Sequence, residues 1–223
     1  MTDPPTADRA TSLASTPADL VRASEELARR SRALRRVVEV VGPPDLGWRA
    51  RPRRTHFAEL ARAICYQQLA GNAARAIHGR FEALFGGTPT APAVLATHDD
   101  VLRGAGLSAA KTAAVRDLAT KVDDGTVSLA RIGARPDDTV VASLTQVRGI
   151  GRWTAEMFLI FQLRRIDVWP VDDLGVRNGY ARIHGLATTL PARALEPAGD
   201  EFRPYRSVVA WYCWRAADPS SAV

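Results

Sequence analysis

Residues 147–153, VRGIGRW, are the stretch that decides the fold of this chain of 223 residues. Gly149 and Gly151 stand one residue apart in a region otherwise rich in helix formers. A glycine inside a helix costs about 1 kcal/mol relative to alanine, so the pair predicts a break between two helices. The first amides of a helix starting at Arg152 have no acceptor within that helix. We therefore expect a tight turn whose backbone can approach a phosphate.

Outward from this turn, the sequence keeps helical periodicity in both directions. Apolar residues recur at helical spacing, no window alternates convincingly with a period of two, and no repeat is visible. One long helix ending at Gly42 is predicted first, and later helices lie on both sides of a break at 69–72. Further helices are predicted over 91–96, 99–105, 108–122, 136–144, 152–163, 173–184 and 204–217. The pattern predicts an all-α fold of about ten helices.

Composition bounds the class of protein. The chain is 24% charged and 46% hydrophobic, which predicts a soluble globular protein with one core or two small lobes sharing a cleft. Cys65 and Cys213 are the only cysteines, too few for a disulfide framework or an iron-sulfur site. No signal peptide or membrane span is visible, so we expect a cytoplasmic protein.

The positive charge has two interpretations. The net charge is +6, and lysine occurs only at Lys111 and Lys121, so arginine carries almost all of the positive charge. Arginine binds phosphate through a bidentate fork, which favours a nucleic-acid partner. The same arginine excess also follows from a GC-rich genome. Charge alone therefore leaves a nucleic-acid partner open.

A pair of acids follows the glycine turn. Asp172 and Asp173 stand at the start of a predicted helix, within the segment DVWPVDDLGV at 167–176. One aspartate at such a position is commonly the N-cap of the helix. Only one of the two can cap, which leaves the other to be explained.

Together, the segments QVRGIGRWTAEMFLIF and DVWPVDDLGV resemble the hairpin and Gly/Pro-Asp loop of the helix-hairpin-helix (HhH-GPD) base-excision DNA glycosylases. HFAELARAICYQQLAGNAARAI and GLSAAKTAAVRDLA are similar to earlier helices of their alkylation-repair branch, the 3-methyladenine DNA glycosylase II type. The resemblance covers roughly 55–217. It implies a glycosylase domain over 16–223, with the hairpin at about 140–163 and the Asp loop at 167–176, after a disordered tail at 1–15. The implied fold is a compact two-lobed all-α array with an active-site cleft between the lobes.

The resemblance also implies the chemistry. The family's aspartate precedes two variable residues and an apolar one, a pattern that Asp173 meets, so Asp173 is the implied catalytic residue and Asp172 the alternative. Trp153 occupies the place of the lysine of the bifunctional lyases, which implies hydrolysis that stops at an abasic site. Iron-sulfur members use four cysteines near the C-terminus, where this chain has only Cys213. We therefore expect no iron-sulfur cofactor.

Roles in substrate binding follow by position. The implied substrate pocket contains Trp153, Trp214 and Tyr66, and the side chain inserted into the DNA stack is Gln68, with Leu69 as the alternative. The implied phosphate anchors are Arg148, Gly149, Gly151, Arg152 and Thr154. In this family the hairpin carbonyls can hold a monovalent sodium or potassium ion, here through Thr145, Val147 and Ile150.

The resemblance thus implies an enzyme, monomeric by default, that flips alkylated purines, of the 3-methyladenine and 7-methylguanine type, out of duplex DNA. It would hydrolyse their N-glycosidic bond in base excision repair. Two alternatives stay open. One is a non-catalytic DNA-binding module that uses the hairpin as an anchor, and the other is a glycosylase for deaminated or oxidised bases.

Overall fold

Helices build the protein throughout the residues that the structure describes, 15–47 and 54–218. In this computed structural model those two ranges contain twelve α-helices and no β-strand. The helices are α1 Pro17–Arg30, α2 Arg32–Val41, α3 His56–Tyr66, α4 Gly71–Ala83, α5 Ala91–Ala96, α6 Asp99–Gly104, α7 Ala109–Asp123, α8 Asp137–Leu144, α9 Arg152–Met157, α10 Leu174–Ile183, α11 Ala192–Ala198 and α12 Arg206–Ala217. The all-α prediction is confirmed.

The chain divides into two compact units. One consists of the described parts of Met1–Arg51 and Leu159–Val223, and the other of the described part of Pro52–Phe158. In the first unit α10 packs along α12, and α1 and α2 cover α12. In the second unit α3 packs on α4 and α7, α5 and α6 pack on α7, and α8 pairs with α9.

Apolar side chains fill the core of each unit. In the first unit, Leu27, Leu34 and Val209 are completely buried. In the second, Ile64 and Leu118 are equally buried. Burying a side chain of this size contributes about 1.5–3 kcal/mol, so the burial of these apolar side chains is the main reason that the helices associate.

The prediction of one long N-terminal helix ending at Gly42 was wrong. The helix breaks at Ser31, whose backbone is extended at φ −125° and ψ 120°. The Ser31 hydroxyl accepts a hydrogen bond from the amide of Leu34 at 3.3 Å and so caps α2. Serine competes for backbone amides in this way, which favours it at helix starts over helix interiors.

Other helix boundaries differ less from the predictions. The predicted helix 152–163 is α-helical only to Met157 and continues as a π-helical turn, Phe158–Gln162. Helix α11 was missed altogether, because the segment contains Pro197 and its few apolar residues show little periodicity. Of the predicted tail 1–15, residues 1–14 lie outside the described part, and Ser15 donates its amide to the carbonyl of Arg164 at 3.0 Å.

Candidate active site and DNA-binding hairpin

The glycine turn joins α8 and α9 as a helical hairpin. Val147 and Ile150 are buried, and the amide of Ile150 donates to the carbonyl of Val147 at 3.0 Å. Arg148, Gly149 and Gly151 are exposed between and beside them. The two apolar side chains hold the turn in the core of its unit, so the intervening backbone faces outward.

The two glycines are required for different reasons. Gly149 has φ +81°, a left-handed conformation that L side chains rarely adopt, and an added Cβ would lie 3.3 Å from the Cβ of Ala114. Gly151 is the N-cap of α9 at φ −90° and ψ 175°, which any residue can adopt. An added Cβ at Gly151 meets no atom within 4 Å. The fold itself therefore requires glycine at 149 but not at 151.

Side chains of α7 hold the turn in place. The Oδ2 atom of Asp117 accepts from the backbone amide of Arg148 at 2.7 Å and from Nζ of Lys121 at 2.7 Å. Nζ of Lys121 also donates to the carbonyl of Gln146 at 2.7 Å. Burial acts to raise the pKa of Asp117, but the hydrogen bonds from Arg148 and Lys121 outweigh it and leave this pKa below its usual range. The i, i+4 spacing of the acid and the lysine in α7 was the only sequence signal for this clamp.

The other predicted hairpin residues differ in exposure. Arg148 is exposed, and Trp153 is 45% exposed on the first turn of α9. Arg152 is exposed and forms an ion pair with Glu156 at 2.9 Å. Thr154 is buried, with only 7% of its surface exposed, so its hydroxyl has little surface to offer a phosphate.

The predicted wedge segment is the loop between α3 and α4. Gln68 has φ +56°, which is unusual for a residue other than glycine, and its side chain is exposed. Leu69 beside it is 38% exposed. Such strain costs about 1–3 kcal/mol and persists where the surrounding structure imposes it, often at functional sites. The loop thus presents both candidate side chains outward.

Tyr66 ends α3 with its ring held on two sides. The guanidinium of Arg62 lies over the ring at 4.4 Å from its centroid, and His78 contacts it edge-on at 5.7 Å. One ring face is therefore already occupied by a cation. This contact restricts the face through which Tyr66 could stack on a base.

Asp173 is the N-cap of α10. Its Oδ1 atom accepts from the amide of Val176 at 2.8 Å and from the indole Nε1 of Trp214 at 2.9 Å. Asp172 is exposed. Asp173, the implied catalytic residue, is therefore also the helix cap. Capping alone thus does not assign a structural role to one acid and a functional role to the other.

The loop that leads to Asp173 is anchored to the start of α12. Asp167 is buried, and its carboxylate accepts from Nε of Arg206 at 2.7 Å and from Nη1 of Arg203 at 3.2 Å. The hydroxyl of Ser207 accepts from the amide of Val168 at 2.9 Å. These bonds join the Asp loop to the helix that carries Trp214.

Trp214 is half-buried in this unit and contacts two functional candidates. Its indole stacks on Phe161, with centroids 5.8 Å apart and planes inclined by 23°. Phe161 is 41% exposed, which is unusual for so large an apolar side chain, and sequence reasoning missed it. Its position in the second hairpin helix could have drawn attention to it. However, the segment is π-helical from Phe158, so a regular α-helix would have predicted the wrong direction for this side chain. Asp173, Trp214 and Phe161 thus form one connected group.

No group of three or more metal-ligating side chains occurs within the described ranges. Cys213 is fully buried, and burial, with Asp173 nearby, raises the pKa of its thiol. None of the described helices is long and apolar enough to span a membrane.

The fold, the glycine turn and the group around Asp173 define a helix-hairpin-helix protein. In it a helix-capping carboxylate lies beside an indole. The sequence profile of the HhH-GPD superfamily of base excision DNA repair proteins matches residues 61–202. The chain is 34% identical over 188 residues to DNA-3-methyladenine glycosylase 1 of Schizosaccharomyces pombe, covering 82% of this chain and 81% of that protein. The chain belongs to the HhH-GPD superfamily.

Two solved structures share the fold. The 3-methyladenine DNA glycosylase of S. pombe in complex with abasic DNA superposes with a TM-score of 0.75 at 32% identity, over 87% of this chain and 95% of that one. The DNA-3-methyladenine glycosidase of Bacillus halodurans gives a TM-score of 0.78 at 32% identity, over 92% of this chain and 90% of that one. Both likenesses extend over most of the two chains compared.

Proposed function

We propose that this chain is a monofunctional DNA glycosylase that removes alkylated purines, of the 3-methyladenine and 7-methylguanine type, from duplex DNA. The observation that carries the proposal is the Asp173 carboxylate at the start of α10, with the indole of Trp214 on its Oδ1 atom at 2.9 Å. The relatives named above as 3-methyladenine glycosylases supply the substrate class. The reaction leaves an abasic site in the DNA.

The role of Asp173 follows from the charge that develops in the reaction. As the base leaves, positive charge builds on the sugar, and a fixed carboxylate stabilises it and helps to orient the attacking water. An N3- or N7-alkylated purine is already cationic and leaves with little help from a general acid. Selection can therefore come from stacking of the cationic base on electron-rich rings, for which Trp153 and Trp214 are the candidates.

The hairpin is the proposed phosphate anchor. A DNA phosphate would approach the backbone at Gly149 and Gly151, and the exposed Arg148 and Arg152 would supply positive charge. The space left open at Gly151 supports this role, since the fold does not need glycine there.

Base flipping costs a few kcal/mol, and a side chain inserted into the stack offsets part of that cost. The exposed Gln68 and Leu69 are the proposed plug. Their loop lies next to Gln67, which contacts the hairpin.

A monovalent cation at the hairpin is part of the proposal. The carbonyls of Thr145, Val147 and Ile150 belong to the turn, and carbonyl oxygens are the ligands that sodium and potassium take in proteins. The ammonium of Lys121 binds the carbonyl of Gln146, which is outside that set, and the Val147 carbonyl accepts from the Ile150 amide at 3.0 Å with one lone pair left for an ion. A bound ion would add positive charge for a phosphate.

The monomeric state and the cytoplasmic location of the enzyme also stay predictions. Sedimentation with and without DNA tests the monomeric state.

Release of bases from methylated duplex DNA tests the activity. Wild-type protein should release 3-methyladenine, and Asp173→Asn should lower the rate by about a hundredfold or more, because a fixed transition-state charge interaction is lost. Asparagine remains a good N-cap, so folding and DNA binding should persist. The matched control is Asp172→Asn, which changes the exposed neighbour and should keep full activity. Full activity of Asp173→Asn would refute the assignment.

A lesion panel separates the alternatives. Release of deaminated or oxidised bases without alkylated ones would favour a glycosylase of different specificity, and no release over the whole panel would favour a DNA-binding module. Borohydride trapping on abasic DNA tests the monofunctional assignment. We expect no covalent adduct, because Lys111 and Lys121 are the chain's only lysines and both ammonium groups bind backbone carbonyls.

A further inference from the structure

Helix α10 has two glycines on the face that packs against α12. Gly175 and Gly179 are four residues apart, so they lie on the same side of the helix, one turn from each other. At Gly179 the two helices touch through their backbones, since an added Cβ would lie 1.9 Å from the carbonyl oxygen of Cys213. The helices can approach this closely only because residue 179 has no side chain.

One turn earlier, the space at Gly175 is filled by the next residue of α12. An added Cβ at Gly175 would lie 2.9 Å from Cδ1 of Trp214 and 3.1 Å from Oδ1 of Asp173. These atoms belong to the two side chains joined by the hydrogen bond from Nε1 to Oδ1. The missing side chain of Gly175 therefore leaves the room in which this bond forms.

The indole has little scope to move aside. One ring face stacks on Phe161, and the backbone next to Trp214 is held at Cys213 by the contact with Gly179. A Cβ atom at residue 175 would push the indole edge away by several tenths of an ångström, since carbon atoms make ordinary contact at about 3.5–4.0 Å. The displaced Nε1 would then lose its bond to the carboxylate.

We propose that Gly175 is a positioning residue, which sets the orientation of the Asp173 carboxylate through the indole of Trp214. The amide of Val176 and the indole Nε1 of Trp214 donate to the same Oδ1 atom from different directions, so together they hold the carboxylate in one orientation. The same contact fixes the indole as a wall beside the carboxylate. The inference rests on the proposed glycosylase function, because it assigns Asp173 to the chemical step.

Gly175→Ala tests this role. Alanine gains helix propensity at this position inside α10, but the contact of its Cβ with Trp214 at 2.9 Å costs packing energy, so the two effects oppose each other and the unfolding temperature should change by only a few degrees. The single-turnover rate of base release should fall by about ten- to a hundredfold, the range expected for a lost hydrogen bond to a charged group. The affinity for DNA containing an abasic-site analogue should change by less than about threefold, because the phosphate anchors are unchanged. A merely structural role would change stability and not the rate.

Gly79→Ala is the matched control. Gly79 lies inside α4, and an added Cβ there meets nothing within 4 Å. This variant should gain helix stability and keep the wild-type rate.

The double variant tests whether Gly175 acts through the indole. Trp214→Phe keeps a ring but removes the donor, so adding Gly175→Ala to it should cause far less loss of rate than in the wild type, because only the direct contact of the Cβ with Oδ1 of Asp173 at 3.1 Å remains. Losses that multiply, or a Gly175→Ala enzyme with the wild-type rate, would overturn the proposal.

The resonance of the Trp214 indole N–H gives a readout that does not need activity. It should shift in Gly175→Ala and in Asp173→Asn, be absent in Trp214→Phe and stay unchanged in Gly79→Ala. If the wild-type protein releases no base, the glycosylase function fails, while the shift still tests the contact between Gly175 and Trp214. An unshifted resonance in Gly175→Ala would overturn the positioning role even in an active enzyme.

Discussion

The side chain of Gln67 donates from Nε2 to the carbonyl oxygen of Gly149 at 2.7 Å. This bond joins the loop after α3 to the glycine turn between α8 and α9, although the two residues are 82 positions apart. Gln67 therefore fixes the position of its neighbour Gln68 relative to the hairpin. The wedge segment and the phosphate anchor predicted from sequence are parts of one connected surface within their unit.

The two hairpin glycines should respond differently to alanine. Gly149→Ala should destabilise the fold by about 1–2 kcal/mol, the cost of a left-handed conformation for an L residue. Gly151→Ala should change stability by less than about 0.5 kcal/mol, because its backbone is unstrained and its surroundings are open. Chemical denaturation measures both effects, and binding to duplex DNA should fall in both variants.

The comparison isolates the role of Gly151. A loss of affinity without a loss of stability in Gly151→Ala means that the Cβ obstructs the ligand. If its affinity for DNA stays at the wild-type value, no phosphate approaches this glycine closely.

Gln68→Gly should separate stability from activity. Glycine adopts the left-handed backbone at residue 68 without strain, so the unfolding free energy should stay the same or rise by up to about 1 kcal/mol. Removing the side chain should slow excision from duplex DNA more than from single strands, because only the duplex needs the flipped-out base replaced. Rates on the two substrates provide the measurement.

Leu69→Ala is the companion variant for the wedge. A larger loss of duplex activity in Leu69→Ala than in Gln68→Gly would identify the leucine as the inserted side chain. If both variants keep the wild-type rate on both substrates, neither side chain of this loop is the wedge.

The carboxylate of Asp117 should matter for the hairpin more than for the fold. Asp117→Ala removes the acceptor for the Arg148 amide and the partner of Lys121, in a pair whose side chains are 29% and 26% exposed. We expect a stability loss of about 1 kcal/mol and a clear drop in DNA affinity, because the Arg148 amide loses its acceptor and Lys121 loses the carboxylate that orients it toward the carbonyl of Gln146.

Asp117→Asn is the matched variant, since its amide oxygen can still accept from Arg148. It should keep most of the affinity that Asp117→Ala loses. If the two variants bind DNA equally well, the bond to Arg148 does not position the turn.

Stability should fall in mildly acidic solution. Burial lowers the pKa of His78 below its ordinary value of 6.5, although Glu82, 3.3 Å from Nδ1, acts in the opposite direction. The unfolded chain then binds more protons than the folded one, so the stability from the neutral ring is fully present above about pH 6.5 and is lost as pH falls through the folded-state pKa. Burial lowers the pKa of His184 in the same direction.

Unfolding free energies between pH 5 and pH 8 measure this dependence. His78→Gln should flatten the acidic side of the curve. An unchanged slope in that variant would show that His78 is not the group responsible.

The sequence by itself determined the helical class and the glycine turn. Helical spacing of apolar residues over most of the chain leaves no alternating strand pattern, and two glycines one residue apart cannot continue a helix cheaply. The cap at Ser108 follows from the same local chemistry, since short polar side chains bind the first amides of a helix, whereas the sequence left open whether Asp172 or Asp173 caps α10. At Ser31 two local signals conflicted. Apolar periodicity predicted one continuous helix, but the serine caps a new helix and breaks it.

Only the tertiary structure decided what surrounds the candidate site. The partners of the hairpin, Gln67, Asp117 and Lys121, come from elements distant in sequence. Local spacing accounts for the i, i+4 pair of Asp117 and Lys121 but not for the bonds of these three residues to the turn. The indole of Trp214 meets Asp173 because Gly175 and Gly179 let two helices touch, which depends on how their faces meet. Periodicity fixes which residues form a helix, but packing between helices determines which side chain reaches a carboxylate.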